Sequence, residues 1–305
     1  MSIFSFVSGL ELGIVFGILA LGLYIAFRIL DLPDLTVDGS FVTGIALCGV
    51  ASVNGHYILG LFLALLGGAI AGATTGLIHT KLKVQPILAG IITMTALYSI
   101  NLRINGLKPS VFFFNQKTIF SFLEGKLIIN GYDYSKLLVL IIILILVAFI
   151  LYMFLNTKTG LLLKATGDNP QMVISNNVSI DKMKIIGLMI SNSLVAFSGG
   201  IYVQYSKQAS QSIGTGMLVL GLASIIIGES IFRPKSTLQH IIAVSLGSII
   251  YRLLLTVAFS IGLPPTDFKL FSALIVIFTI ALPKISILLK RRNNYVVNWA
   301  SKCHF

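Results

Sequence analysis

The stretch that decides the fold is "LLVLIIILILVAFILYMFL", residues 137–155. It contains no charged residue and almost no polar atom. About 20 apolar residues in a helix cross the hydrocarbon core of a bilayer. Because lipid offers no hydrogen bonds, every backbone N–H and C=O must be paired within the segment, which a helix achieves. This stretch is therefore predicted to be a transmembrane helix.

The rest of the chain has the same apolar character. Of its 305 residues, 56% are hydrophobic and 10% are charged, and the mean hydropathy is +0.96. Ordinary soluble proteins are about 25% charged, so this chain cannot cover itself with a charged surface. We expect an integral membrane protein whose partner is the lipid bilayer. The net charge of +12 is typical of basic cytoplasmic loops rather than of nucleic-acid binding.

The apolar runs predict an all-α, polytopic transmembrane bundle of about 8–10 spans in a single domain over residues 1–305. They do not alternate as the strands of a membrane barrel do. One short or broken helix is expected near residues 31–53. The predicted spans are residues 7–27, 37–53, 57–79, 85–102, 137–155, 185–205, 213–231, 238–259 and 269–289.

Glycines recur every four residues in two of these spans. Such faces let helix backbones approach closely. We expect them to pack within one bundle, with a subunit interface as the alternative. The glycines are Gly9, Gly13 and Gly17 in the first span, and Gly68, Gly72 and Gly76 in the third.

Orientation follows from the bases. With the N-terminus outside and the C-terminus in the cytoplasm, fourteen of the 22 Lys and Arg residues fall on the inner side. Five of the others are spread over one long outer segment, residues 103–136. An excess of bases in short cytoplasmic loops is the usual pattern in membrane proteins, so this orientation is predicted.

The first polar feature is "DLPDLTVDGS", residues 31–40. Pro33 disfavours helix at the preceding residue and donates no backbone hydrogen bond. Polar residues beside a broken helix are tolerated at membrane depth where they are buried in protein or line a watery cavity. Two interpretations are open: a half-helix that lines a translocation path, or a cytoplasmic turn with its carboxylates in water. The candidates for the path are Asp34, Thr36, Asp38 and Ser40.

Two acids fall inside predicted spans, and an intramembrane acid is a functional candidate. Glu229 lies near the predicted inner face beside Arg233, so a role in the pathway and a structural ion pair there are both open. Glu11 lies near the outer end of the first span, where it can reach water.

The second polar feature is "KATGDNPQMV", residues 164–173. A helix is expected to end at Gly167, and Asp168 or Asn169 is a good N-cap for a new one that begins at Pro170. The result is a short, rigid helix with an apolar patch in a cytoplasmic loop, residues 157–184. It is either a docking surface for a cytosolic partner or a helix lying among lipid headgroups. The docking candidates are Lys164, Gly167, Asp168, Asn169, Pro170, Met172 and Val173.

These residues carry a resemblance. The stretch "GLLLKATGDNPQMVISNNVSIDKMK" resembles the permeases of bacterial ABC importers in the branched-chain amino acid, ribose and nucleoside permease superfamily. Those permeases carry a Gly-x-x-x-Arg/Lys-Ala-x-Gly-x-Asn-Pro pattern before a short helix and follow the helix with Gly-Ile/Val. The pattern is matched here by Gly160, Lys164, Ala165, Gly167, Asn169 and Pro170. Asn177 stands where the family has the later glycine, and Asn also tolerates a left-handed backbone.

Other stretches extend the resemblance over nearly the whole chain. "GLASIIIGESIF" (221–232) and "TDFKLFSALIVIFTIALPK" (266–284) look like later spans of the family, and "DLPDLTVDGSF" (31–41) looks like a subgroup linked to aromatic amino acids or related solutes. The resemblance implies that the capped helix is a coupling helix and that Asp38 and its neighbours line the path. It also implies a homodimer or heterodimer in the bacterial cytoplasmic membrane, a cytosolic ATP-binding subunit and an extracytoplasmic solute-binding protein.

Motifs for other chemistry are missing from the sequence. It has no GxxxxGK[ST] phosphate loop, no HExxH and no Cys/His cluster, so we expect no ATPase motif, catalytic residue, metal or cofactor. The sequence therefore favours a transport subunit, with an amino acid preferred over a nucleoside or a sugar as solute. An ion-coupled secondary transporter is the alternative. A membrane enzyme would have to use the Asp31, Asp34 and Asp38 group.

Overall fold

A computed structural model describes residues 3–114, 116–123, 125, 128–129, 132–260, 270–275 and 277. Within these residues ten α-helices have defined bounds. A π-helical turn, Tyr24–Ile29, continues the first helix. The helices are α1 Ile3–Leu23, α2 Val37–Val53, α3 Tyr57–Lys81, α4 Pro86–Ile104, α5 Ser135–Leu155, α6 Lys158–Asp168, α7 Pro170–Ser175, α8 Ile180–Ser206, α9 Met217–Phe232 and α10 Thr237–Ser260.

The helical bundle confirms the predicted fold class. Within the described residues, seven helical segments are long and apolar enough to cross a membrane, and α2 is a shorter apolar helix of 17 residues. Each corresponds to one predicted span. The ninth predicted span, residues 269–289, lies mostly outside the described residues; 270–275 and 277 are helical.

The α1 helix is the centre of the bundle. In its most apolar window 83% of the residues are buried, against 17% in α5. It contacts α5, α8, α9 and α10. The apolar run that decides the fold, now α5, therefore lies at the periphery, where its uniformly hydrophobic surface suits contact with lipid.

The glycine faces pack within the bundle, as expected. A Cβ added to Gly68 or Gly72 in α3 would overlap the backbone carbonyl oxygens of Asn192 or Leu188 in α8. The glycines of α1 lie against α10 in the same way, since a Cβ at Gly13 would approach the Ile249 Cα to 2.9 Å. These close approaches hold the helices together where lipid provides no hydrophobic driving force between them.

The two ends of the bundle differ. At one end, which we call the α7 end, α6 packs against the last turn of the α1 segment. At the other, which we call the sheet end, strand β1 Ser110–Phe112 pairs antiparallel with strand β4 Gln208–Ser210, and Val111 lies opposite Ala209. A short pair between them in sequence, β2 Ile128–Ile129 and β3 Tyr132–Asp133, is also antiparallel.

Candidate functional site

The capped helix of the long loop has the predicted local structure. Asn169 follows the last residue of α6, and its own backbone N–H donates to the Ala165 carbonyl. Its side-chain oxygen accepts a hydrogen bond from the Met172 backbone N–H at 3.3 Å, which is the N-cap geometry. Pro170 is the first residue of α7, where a missing N–H costs nothing. The expected boundary at Gly167 is one residue early, because α6 continues to Asp168.

The two faces of α7 differ in exposure. Val173 is 1% exposed and holds the helix against the protein. Met172 is 58% exposed and Ile174 is 61% exposed, so two large apolar side chains point away from the rest of the protein. The helix ends at Ser175, and Asn177, two residues later, has a left-handed φ of 57°. The residue that departs from the family's glycine therefore adopts the conformation that glycine favours.

The α6 helix fastens this loop to the bundle. A Cβ on Gly167 would overlap the carbonyl oxygen of Ile29, at the end of the π-helical turn. On the other side of α6, the Lys164 ammonium donates to the Thr237 hydroxyl at 2.9 Å, at the start of α10. Partial burial lowers the pKa of Lys164, because removal from water disfavours the charged form. The loop thus touches both α1 and α10.

Glu229 has a different partner from the one the sequence suggested. Its Oε1 accepts from the Arg28 Nε at 3.0 Å and lies 3.1 Å from the His240 Nδ1. The His240 ring stacks on Tyr24 at 5.8 Å between centroids. Arg233, which adopts a left-handed backbone just after α9, is not the partner in this ion pair. The cluster ties the ends of α1, α9 and α10 together at the α7 end.

The segment between α1 and α2 turns back into the bundle. Asp34 is 1% exposed, and its carboxylate accepts hydrogen bonds from the Thr36 backbone at 2.8 Å and the Asn192 amide at 2.7 Å. Ser40 donates to Asn192 Oδ1 at 2.6 Å, and the hydroxyls of Thr36 and Thr75 are 2.7 Å apart. Asn192 lies near the midpoint of α8. The cytoplasmic-turn interpretation requires the Asp34 carboxylate to be in water, and the structure instead buries it.

Asp38 is half-buried and connects α2 to α9. Its Oδ2 accepts from the Gly216 N–H at 3.0 Å and its Oδ1 from the Leu218 N–H at 2.8 Å. These donors belong to the first turn of α9, where the helix dipole favours a carboxylate. A cavity of about 260 Å³ adjoins this turn and is lined in part by Gly216 and Ser272. Of the four residues from the 31–40 segment, Asp38 is hydrogen-bonded to Gly216, which lines this cavity, while Asp34, Thr36 and Ser40 form one buried network.

Comparison with known proteins decides the family. A family model for the permease component of the branched-chain amino acid transport system matches residues 5–280. The chain belongs to this family. The permease is 37% identical over 292 residues to the tyrosine transport system permease protein of Clostridioides difficile (strain R20291), covering 95% of each chain.

More distant relatives are sugar permeases. The ribose import permease protein of Haemophilus influenzae is 24% identical over 212 residues, which is 69% of this chain and 64% of that protein. Among solved structures, PsaBC from Streptococcus pneumoniae in complex with Fab aligns with a TM-score of 0.49 at 14% identity, covering 90% of this chain and 89% of that chain. The relatives that have a stated role are transport permeases, which agrees with the family.

Some residues of the polar clusters escaped sequence reasoning. Asn192 and Thr75 join the Asp34 network, and Arg28 and His240 surround Glu229. The available signal was a polar residue inside or beside an apolar run, but nothing in the sequence states which polar residues meet. Glu11 was expected to reach water; it is instead 5% exposed and accepts from the Tyr205 hydroxyl at 2.9 Å. Among the described residues, no three His, Cys, Asp or Glu side chains are placed to hold a metal ion.

Proposed function

We propose that this permease works as one half of a dimeric ABC importer, and that an amino acid is its solute. A separate cytosolic ATP-binding subunit drives it, and an extracytoplasmic binding protein delivers the solute. The permease family and the basic loops support this assignment. The name of the 37% identical relative, a tyrosine transport permease, supports an amino acid over a sugar or nucleoside.

The observation that carries the proposal is the pair of faces on α7. A capped helix with an anchored residue, Val173, and two exposed apolar residues, Met172 and Ile174, has the form of a docking element. An amphipathic helix is commonly recognised by laying its apolar face in a groove of a partner. In this proposal the α7 end is cytoplasmic, the N-terminus is outside, and the loop 157–184 receives the push of the ATP-binding subunit.

The pathway is proposed to run past Asp38. Its carboxylate accepts a hydrogen bond from Gly216, a residue that lines the cavity at the first turn of α9. The path is also proposed to depend on Asp34, Thr36 and Ser40. Their hydrogen bonds join the start of α2 to α3 and α8 and so fix the position of this helix. The contacts of Glu229 with Arg28 and His240 join α1, α9 and α10 at the α7 end, and we propose that they keep the exit at this end closed.

The test is reconstitution in proteoliposomes with labelled L-tyrosine as probe. We expect uptake that requires the permease, its ATP-binding subunit, its binding protein and ATP together. The permease alone should hydrolyse no ATP and should show no uptake driven by a proton or sodium gradient. Strong uptake by the permease alone would instead support an ion-coupled secondary transporter.

A further inference from the structure

Two asparagines near the end of α4 lack most of the hydrogen bonds that their side chains can make. Asn101 is 0% exposed and Asn105 is 5% exposed. The Asn101 amide nitrogen donates a long bond of 3.3 Å to the Gly39 carbonyl. The Asn101 Oδ1 and both polar atoms of Asn105 have no partner among the described residues. Buried amides are nearly always paired, so each of these atoms requires an explanation.

Unpaired groups are not general in this part of the protein. On the same helix, the buried Thr93 hydroxyl donates to the Ala89 carbonyl at 3.0 Å. The buried Asn192 of α8 uses both its oxygen and its nitrogen, with Ser40, Asp34 and the Leu188 carbonyl as partners. The bundle can therefore satisfy an asparagine, and it leaves these two unsatisfied.

The position of the two amides suggests what meets them. They lie one helical turn apart, or about 6 Å along the axis, and Asn105 is nearer the sheet end. Asn101 bonds to Gly39, the residue after Asp38. The segment beside them, Gln211–Gly214, also contacts α4, and the Gln211 amide donates to the Tyr98 carbonyl. The amides thus lead from the sheet end of the bundle toward Asp38.

We propose that Asn101 and Asn105 are a binding waypoint for the head group of an α-amino acid during import. An amide oxygen accepts from an ammonium group and an amide N–H donates to a carboxylate, so the unpaired atoms offer both halves of what a zwitterion requires. This assignment rests on the proposed function and adds a site to it. The atoms are enclosed in this conformation, so the solute reaches them when α4 separates from α2.

The contact between α4 and α2 is built for close approach. A Cβ on Gly39 would lie 3.2 Å from the Met94 Cα, and one on Gly90 would lie 2.7 Å from the Leu35 backbone nitrogen. Besides α2, α4 contacts α3 and the Gln211–Gly214 segment, and most of its remaining surface is exposed. Closing this contact around an empty site leaves the amides unpaired, whereas opening it admits the solute.

The experiment replaces the amides with leucine, which has the same branched outline and the same number of side-chain heavy atoms but no polar group. Asn101→Leu, Asn105→Leu and the double variant are reconstituted with the ATP-binding subunit and the binding protein, and uptake of labelled L-tyrosine and ATP hydrolysis are measured together. We expect the ratio of tyrosine imported to ATP hydrolysed to fall at least tenfold in the double variant. The thermal unfolding temperature should stay the same or rise, because an unpaired polar group has been removed. Thr93→Val, a buried and paired position on the same helix, is the matched control and should keep the ratio within twofold.

Equilibrium binding tests the chemistry of the head group. Labelled L-tyrosine is bound to the permease with its ATP-binding subunit, without the binding protein, and is competed with tyramine, which lacks the carboxylate, and with 4-hydroxyphenylpropanoate, which lacks the ammonium. Competition by excess tyrosine and by neither analogue supports the waypoint. Competition by ribose instead would overturn the assignment to an amino acid.

The outcomes separate the waypoint from the proposed function. An unchanged transport ratio in the double variant means that water alone occupies the amides, and it overturns the waypoint while leaving the importer intact. A fall in unfolding temperature that accounts for the loss means a structural role, and it also overturns the waypoint. A wild-type complex that imports neither labelled L-tyrosine nor any other labelled L-amino acid overturns the proposed solute together with the head-group assignment.

Discussion

The exposed apolar face of α7 gives the sharpest test of docking. Met172→Ser and Ile174→Ser remove two large apolar side chains that are 58% and 61% exposed. Fully burying one such side chain is worth about 1.5–3 kcal/mol. Since somewhat more than half of each remains to be covered, the pair should contribute about 2–4 kcal/mol to binding of the ATP-binding subunit. The double variant should therefore bind it about 30-fold to several hundredfold more weakly.

The assay is a titration of the purified ATP-binding subunit onto the permease in lipid nanodiscs. Neither residue supports the fold from inside, because Val173 anchors the helix and Asn169 caps it. The unfolding temperature should therefore not change. Leu107→Ser is the matched control: this residue is 70% exposed and follows α4 at the sheet end, so its replacement should leave the affinity within twofold.

Two results would refute the reasoning. If the double variant binds the ATP-binding subunit as tightly as the wild type does, α7 is not the docking element. If instead binding of the subunit is retained while the unfolding temperature loses its dependence on anionic lipid in the nanodisc, the helix lies among lipid headgroups, which is the other interpretation that the sequence allows.

Three further predictions concern the bundle. Gly167→Ala forces a Cβ into the backbone at the end of the α1 segment and should lower the unfolding free energy by about 1–3 kcal/mol. Gly17→Ala is the control for the same denaturation assay and should be near neutral, because the nearest heavy atom to its added Cβ is 3.5 Å away. Asn192→Leu strips two partners from the buried network, including one from the Asp34 carboxylate, and should cost about 3 kcal/mol; no loss of stability would show that the network is incidental. Asp38→Cys, made in a variant from which Cys48 and Cys303 have been removed, should react with a water-soluble thiol reagent at a rate that changes when the binding protein and ATP are added. A constant rate of reaction would argue against a position on the path.

Local rules explain what could be predicted from the sequence. The apolar run 137–155 becomes α5 because lipid leaves it no alternative to a helix. The start of α7 depends on neighbouring residues alone, since the Asn169 side chain reaches a backbone group three residues away. The left-handed turn at Asn177, just after the helix, follows from the tolerance of asparagine for this backbone conformation. Lengths, caps and charge bias are all short-range properties, so they can be derived from one chain.

Pairing across the bundle could not be predicted in this way. Glu229 is four residues from Arg233 in the sequence, yet it pairs with Arg28, 201 positions away. Asp34 lies in a polar segment, residues 31–40, whose sequence is also compatible with a turn in water. In the bundle its carboxylate accepts a hydrogen bond from Asn192, 158 positions away. Each partner is decided by which helices pack together, and that depends on glycine contacts along whole faces rather than on the polar residues themselves.

The geometry also suggests why a push on the loop would reach the centre of the bundle. The α6 helix meets the α1 segment at Ile29, backbone to backbone, because Gly167 has no side chain to separate them. The last turn there, Tyr24–Ile29, is π-helical. In this form an extra residue interrupts the regular hydrogen bonds of the α-helix, and such turns are often found at functional sites. The same turn carries Arg28, which pairs with Glu229 at the end of α9. Movement of α7 would therefore press on the deformable end of the most buried helix. It would also strain the ion pair that joins this end to α9, the helix whose first turn donates hydrogen bonds to Asp38.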